Sequence, residues 1–278
     1  MSVHESFLVY RGFRFLKAAA ALAGIAILAY LVYNPMGPHN GGTWLGYTLG
    51  TIGAGLIGWL TWLGVRKRQY SLGATKLQSW VSAHVYLGLS LLIVGTLHTG
   101  FQFGWNVHTL AYALMVGVIL SGVFGIYAYS RYPALMTANR GGQTLDFMLR
   151  QLAELDRQAR EIALTLGDEF AAAVRSSEEN TRIGGGAWAQ LRASGSGCAT
   201  LAATRRVEEL ARGTTPELAD SAGRLLALLG RKCDLLARIR KEVQFRALME
   251  VWLYVHVPMT VALVVVLAIH IIAVFFYW

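Results

Sequence analysis

The chain has 278 residues, 55% hydrophobic and only 15% charged, with a formal net charge of +9. That is too apolar for a soluble domain of ordinary composition, and the basic residues flank apolar runs without interleaved aromatics, which argues against a nucleic-acid partner. Cys198 and Cys233 are the only cysteines; with no CxxCH and no cysteine cluster, covalent c-type haem and iron–sulfur centres are excluded, and both are expected as free thiols in a reducing compartment.

Apolar runs of about twenty residues match a hydrocarbon core of about 30 Å. They predict five membrane spans, at 15–33, 44–65, 80–99, 107–129 and 251–276. Arg11, Arg14 and Lys17 precede the first, as in a signal peptide, but no small-x-small cleavage site follows it, so it reads as a membrane helix. The second repeats small residues at Gly46, Gly50, Ala54 and Gly58, a stripe read as helix packing alone. Trp44, Trp105, Tyr277 and Trp278 at one set of span ends, and Trp62, Tyr70, Trp80 and Tyr132 at the other, form the expected interfacial belt.

Lysine and arginine lie before the first span, at Arg66, Lys67, Arg68 and Lys76, and through 131–250, whereas the connections 34–43 and 100–106 have none. Cytoplasmic loops retain these residues. The expectation is a bacterial cytoplasmic membrane protein, in contact with lipid, with its N-terminus and residues 131–250 inside and Trp278 outside. The fold class is an all-α, five-helix membrane bundle with a cytoplasmic helical insertion: 1–130 hold spans one to four, 131–250 the insertion and 251–278 the fifth span.

Within the insertion, Leu145, Leu149, Leu152, Ala159, Ile162 and Leu166 keep helical spacing, as do Leu218, Ala222, Leu225, Leu229, Leu236 and Ile239. Thr215-Pro216-Glu217 reads as an N-cap with proline in the first turn. That helix has no strong stop before Val251 and is expected to continue into the last span. Gly184 to Gly186 and Ser194 to Gly197 read as a flexible connection between the two helices. No strand-GxGxxG-helix pattern or P-loop appears, so flavin, nicotinamide or nucleotide chemistry would have to come from another chain.

Four histidines lie in apolar spans as two equally spaced pairs, His84 with His98 and His256 with His270. Fourteen helical residues rise about 21 Å and fall about 40° short of four full turns. Each helix therefore carries two imidazoles on nearly one face at different membrane depths. The third and fifth spans run in the same direction, so His84 should oppose His256 near the inner surface and His98 should oppose His270 near the outer one. Membrane histidines tend to mark function, and imidazole is the commonest metal ligand. Zinc and copper usually recruit three or four protein ligands, and no acidic residue or cysteine in the spans completes such a set. Haem brings four nitrogens and needs only two histidines. Gly88 and Gly95 lie near the ligand face and would leave room for a macrocycle, although helix packing explains them equally well.

This arrangement resembles dihaem membrane cytochromes b, both quinol-oxidising subunits and the transmembrane domain of ferric reductases and NADPH oxidases. The resemblance covers the third and fifth spans. The missing flavin and nicotinamide domain departs from the reductase pattern, and the insertion has no counterpart in either group. The reading predicts two noncovalent haem b groups, each held by two histidines, in an electron-transfer subunit and not a self-sufficient enzyme. The expected partners are other redox subunits or an outer-side cytochrome, with quinol as a candidate donor and quinone as a second cofactor that no motif marks. His108, at the start of the fourth span, is a candidate to contact a haem propionate, a quinol headgroup or a proton. Arg66, Arg68, Lys76 and Arg131 could pair with propionates on the inner side, and Gln102, Trp105, Asn106 or His108 on the outer. His4 and His39 are expected to be solvated. The competing readings are a haem-free transporter or proton relay using the same histidines, and a signalling or assembly protein anchored by its spans.

Overall fold

The computed structural model describes residues 7–67, 74–183 and 198–276, with the side chains of 65–67 and 74–76 outside that set. All regular structure in these residues is helical: α1 (Tyr10–Val32), α2 (Trp44–Lys67), α3 (Ala74–Thr99), α4 (Val107–Arg140), α5 (Leu145–Leu166), α6 (Asp168–Asn180), α7 (Ala199–Ala211) and α8 (Pro216–Phe276). Stretches at Tyr10–Val32, Leu77–Thr99, within Val107–Leu166 and within Pro216–Phe276 are long and apolar enough to cross a membrane. Their outward residues are apolar as well, Leu31 being 76% exposed and Phe275 76%. Water would make such faces an aggregation surface, whereas lipid solvates them. These long apolar helices mark an integral membrane protein.

The remaining expected span, α2, is a 24-residue helix outside that apolar set. Six glycines and three threonines dilute its hydrophobicity. The threonine hydroxyls nevertheless donate within the helix, Thr48 to the Trp44 carbonyl, Thr51 to Tyr47 and Thr61 to Gly58, so they ask nothing of the surroundings. Thr43 Oγ1 accepts from the Gly46 N–H at 3.1 Å and opens the helix in the manner of an N-cap.

Contacts divide the chain into two units, residues 1–124 with 253–278, and residues 125–252. In the first, α3 packs on both α1 and α2. Ala26, Leu49 and Val94 meet where these three helices converge, and Ile57, Leu60, Leu91, Met115 and Leu263 form a second buried cluster. α1 is bounded at Tyr10, ahead of the expected 15–33, but Arg11, Gly12 and Phe13 pass through left-handed backbone, so its regular helix starts only after them, close to the expected start. Only glycine tolerates that conformation without strain.

In the second unit, Thr144 caps α5 by accepting from the Phe147 N–H, and α5 buries Met148, Leu152, Ala159, Ala163 and Leu166. The buried face is turned from the expected one: Leu149 points outward and Met148 inward. α6 and α7 were not separately legible in the sequence; they add Phe170, Val174 and Val207 to the core shared with Ala222, Leu225 and Leu229 of α8. α8 starts at Pro216 and runs unbroken to Phe276, as its sequence suggested. The expected connection at Gly184 to Gly186 and Ser194 to Gly197, together with His4, Arg68, Tyr70, Tyr277 and Trp278, lies outside the described residues.

Lys232 carries an ion pair into this core. Lys232 is 1% exposed, with Nζ 2.6 Å from Asp156 Oδ1 and donating to Ser177 Oγ at 2.8 Å. Lys232→Ala would leave the Asp156 carboxylate without its countercharge, at a cost of about 3 kcal/mol in the full chain's denaturant unfolding. Replacing both partners, as Lys232→Met with Asp156→Leu, is expected to cost much less. Equal losses in the two variants would show that the pair is not the source.

Cys198 and Cys233 are free thiols. Burial pushes the Cys198 thiol up, but the Leu201 backbone N–H and the Arg240 guanidinium outweigh it and bring it below the ordinary range. Burial, and then the neighbouring Cys198, holds the Cys233 thiol above its ordinary value. Thiolate is the nucleophile, so iodoacetamide near neutral pH should label Cys198 first, as read by peptide mass spectrometry. Earlier labelling of Cys233 would reverse the assignment.

Candidate functional site

The first unit brings the four span histidines together in pairs. His84 and His256 have ring centroids 6.5 Å apart with planes at 62°, and His98 and His270 are 6.1 Å apart at 88°. Leu91 and Leu263, the midpoints of the two fourteen-residue intervals, are both 3% exposed and share one apolar cluster. The two helices are thus in matched register, with hydrocarbon packed between the histidine levels.

Hydrogen bonds fix which nitrogen three of the four rings present. His84 Nδ1 lies 3.2 Å from the Leu60 carbonyl and His98 Nδ1 lies 2.8 Å from the Gly46 carbonyl. A carbonyl only accepts, so in both rings Nδ1 carries the hydrogen and Nε2 the lone pair. His256 Nδ1 is 2.7 Å from Ser121 Oγ, and the Ser121 hydroxyl donates to the Val118 carbonyl, which leaves its oxygen to accept from His256. His270 Nδ1 meets His108 Nδ1 at 2.5 Å. Oriented imidazoles of this kind, anchored through Nδ1 and presenting Nε2, are the usual form of a histidine metal ligand.

The spacing fits one metal between each pair. Two metal–imidazole bonds of about 2.0–2.1 Å, plus the distance from each nitrogen to its own ring centre, come to about 6 Å. Among the described residues, no group of three or more histidines, cysteines or carboxylates is arranged to hold a metal ion. Two facing imidazoles per level fall short of the fuller set that zinc or copper usually takes. A centre that brings its own equatorial nitrogens suits the donor set.

Glycines shape the seat of one ring. A Cβ on Gly50 would stand 2.7 Å from His98 Cε1, and one on Gly41 would stand 3.2 Å from the same atom. The His98 imidazole thus lies against bare backbone of α2, with Gly46 supplying its acceptor. The stripe read as packing alone therefore also seats a histidine. Gly122 plays a looser part beside His256, where a Cβ would come to 3.6 Å of Cε1. Gly88 has open space around its absent side chain, whereas Gly95 faces Met115, whose Sδ would be 2.9 Å from a Cβ. At Gly95 the room is taken by helix packing.

No family model matches this chain, and comparison with curated proteins and with solved structures gives no match. Function rests on the site itself.

The other candidates fall into place around it. His108 joins His270 as described. Asn106 Oδ1 accepts from the Thr109 N–H at the start of α4, and the Gln102 amide donates to the His39 carbonyl. Both side chains therefore have structural duties, while Trp105 is fully exposed. His39, expected to be solvated, lies 4.3 Å from the Tyr30 ring, with Nε2 3.0 Å from the Tyr33 carbonyl. Arg131 is exposed, and the side chains of Arg66, Arg68 and Lys76 lie outside the described set.

Proposed function

We propose that the chain is a membrane electron carrier binding two noncovalent haem b groups, one between His84 and His256 and one between His98 and His270. The observation that carries this reading is the pair of opposed imidazoles at each of two levels, at a separation suited to axial ligation, with Nδ1 anchored to a neighbouring group in every ring. When bound, each haem supplies a one-electron ferric/ferrous couple. His84 with His256 and His98 with His270 would hold the haem irons, which would leave no coordination site for oxygen or substrate, and the Leu91/Leu263 cluster fills the interval between levels with apolar side chains. Such a site passes single electrons and performs no bond chemistry of its own.

Two levels about 21 Å apart along the helices make a path across the membrane. The distribution of lysine and arginine supports the His84/His256 level as the cytoplasmic one. Electrons would pass between a quinol or cytoplasmic donor and a redox protein on the other face, in the order set by the partners' potentials, and the carrier would work within a larger redox complex. A haem-free proton relay is the second reading, and the His108–His270 contact is the feature that favours it.

The test uses the purified chain in sealed vesicles with ferricyanide trapped inside and dithionite added outside. Bleaching of the trapped oxidant in wild type, abolished in His98→Ala, supports the carrier. No bleaching by haem-loaded vesicles would contradict transmembrane transfer.

A further inference from the structure

Three of the four ring anchors are weakly basic oxygens: the Leu60 carbonyl, the Gly46 carbonyl and the Ser121 hydroxyl. The fourth is a nitrogen base. His108, exposed at the start of α4, puts Nδ1 2.5 Å from His270 Nδ1, with ring centroids 4.6 Å apart and planes at 85°. For His270 to present a lone pair from Nε2 toward His98, its hydrogen must sit on Nδ1. His270 then donates and His108 accepts.

We infer that His108 is a positioning residue that sets the two levels apart in potential, holding the His98/His270 haem lower than the same ligands would with an oxygen acceptor. This rests on the dihaem reading. An imidazole nitrogen accepts a hydrogen bond more strongly than an amide carbonyl or a hydroxyl, so it draws the Nδ1 hydrogen further away and leaves His270 a more electron-rich donor. Such a donor stabilises ferric over ferrous iron, and the hydrogen-bonded partner of a ligating histidine is a recognised lever on its basicity. At the other level, Nδ1 of His84 lies on the Leu60 carbonyl and Nδ1 of His256 on the Ser121 hydroxyl, both oxygens. The geometry thus assigns the asymmetry to one side chain that need not touch a haem. His108 also fixes the ring of His270 edge to face, which holds its plane nearly perpendicular to that of His98.

The experiment is a potentiometric titration of the purified full chain, followed by its visible spectrum, with haem per chain measured on the same sample. His108→Ala is compared with His108→Gln, whose amide oxygen restores an acceptor of carbonyl type. Two haems retained in both variants, with one potential moved upward, the other unmoved and a smaller rise in His108→Gln than in His108→Ala, would support the inference. Loss of one haem in His108→Ala with full retention in His108→Gln would support the positioning role alike. Unchanged potentials, equal shifts of both haems, or loss of haem in both variants would overturn it. Wild-type protein without haem would overturn the dihaem reading itself, a result distinct from all of these.

Discussion

His98→Ala is expected to lower the haem content of the purified chain from about two to about one, because a haem held by two imidazoles keeps only one of its protein ligands. The remaining haem should be the one between His84 and His256. Leu91 and Leu263 separate the levels, and the ring anchors differ: Leu60 and Ser121 serve one level, Gly46 and His108 the other. The mirror variant, His84→Ala, should keep the His98/His270 haem. The two variants should therefore differ in potential as well as from wild type. The check is pyridine haemochrome quantification against protein concentration, with a redox titration to say which haem survives. Complete haem loss in both variants, from protein that still elutes as a folded species, would mean that the levels are not independent sites.

Gly50→Val should empty the same level without removing a ligand. A Cβ at position 50 would already stand 2.7 Å from His98 Cε1 and 2.9 Å from Nδ1, closer than real contacts come. The ring cannot slide away cheaply, because its Nδ1 is held by the Gly46 carbonyl one turn earlier on α2. A branched side chain must therefore displace the imidazole or push α2 from α3. Loss of a supporting contact of this kind typically weakens metal binding about 10- to 100-fold. Occupancy of the His98/His270 level should fall accordingly, with the other level intact. Gly58→Val, on the same stripe with open space around its Cβ position, is the matched control and should keep both haems. Full occupancy in Gly50→Val would show that the seat is not restrictive.

The residues that announced the site in the sequence were those whose side-chain chemistry is unusual in a membrane. The fourteen-residue spacing of the histidines gave them a shared face and a matched register, and the structure brings Leu91 and Leu263 together at the midpoints. Thr215 and Pro216 likewise marked the start of α8. The supporting groups were hidden for a physical reason. Leu60 and Gly46 act through backbone carbonyls, which every residue has, so nothing in their identity points to a role. Gly50 could be noticed as part of a small-residue stripe, but only the position of His98 shows what lies against it. Ser121 becomes meaningful only once α4 is seen beside the His256 segment of α8. The rotation of α5 that buries Met148 in place of Leu149 has a similar origin, since its neighbours α6 and α7 were not resolved by apolar spacing alone. At the N-terminal end of α1, left-handed backbone at Arg11 and Phe13 runs against the preference of non-glycine residues.

The most direct test of the central claim is the haem content and spectrum of the full-length chain purified in detergent. The predicted result is about two noncovalent b haems per chain, both low-spin when oxidised and reduced, as bis-histidine ligation requires. Well-folded protein with no haem, or with a single high-spin haem, would contradict it and leave the histidine pairs to be explained as a relay.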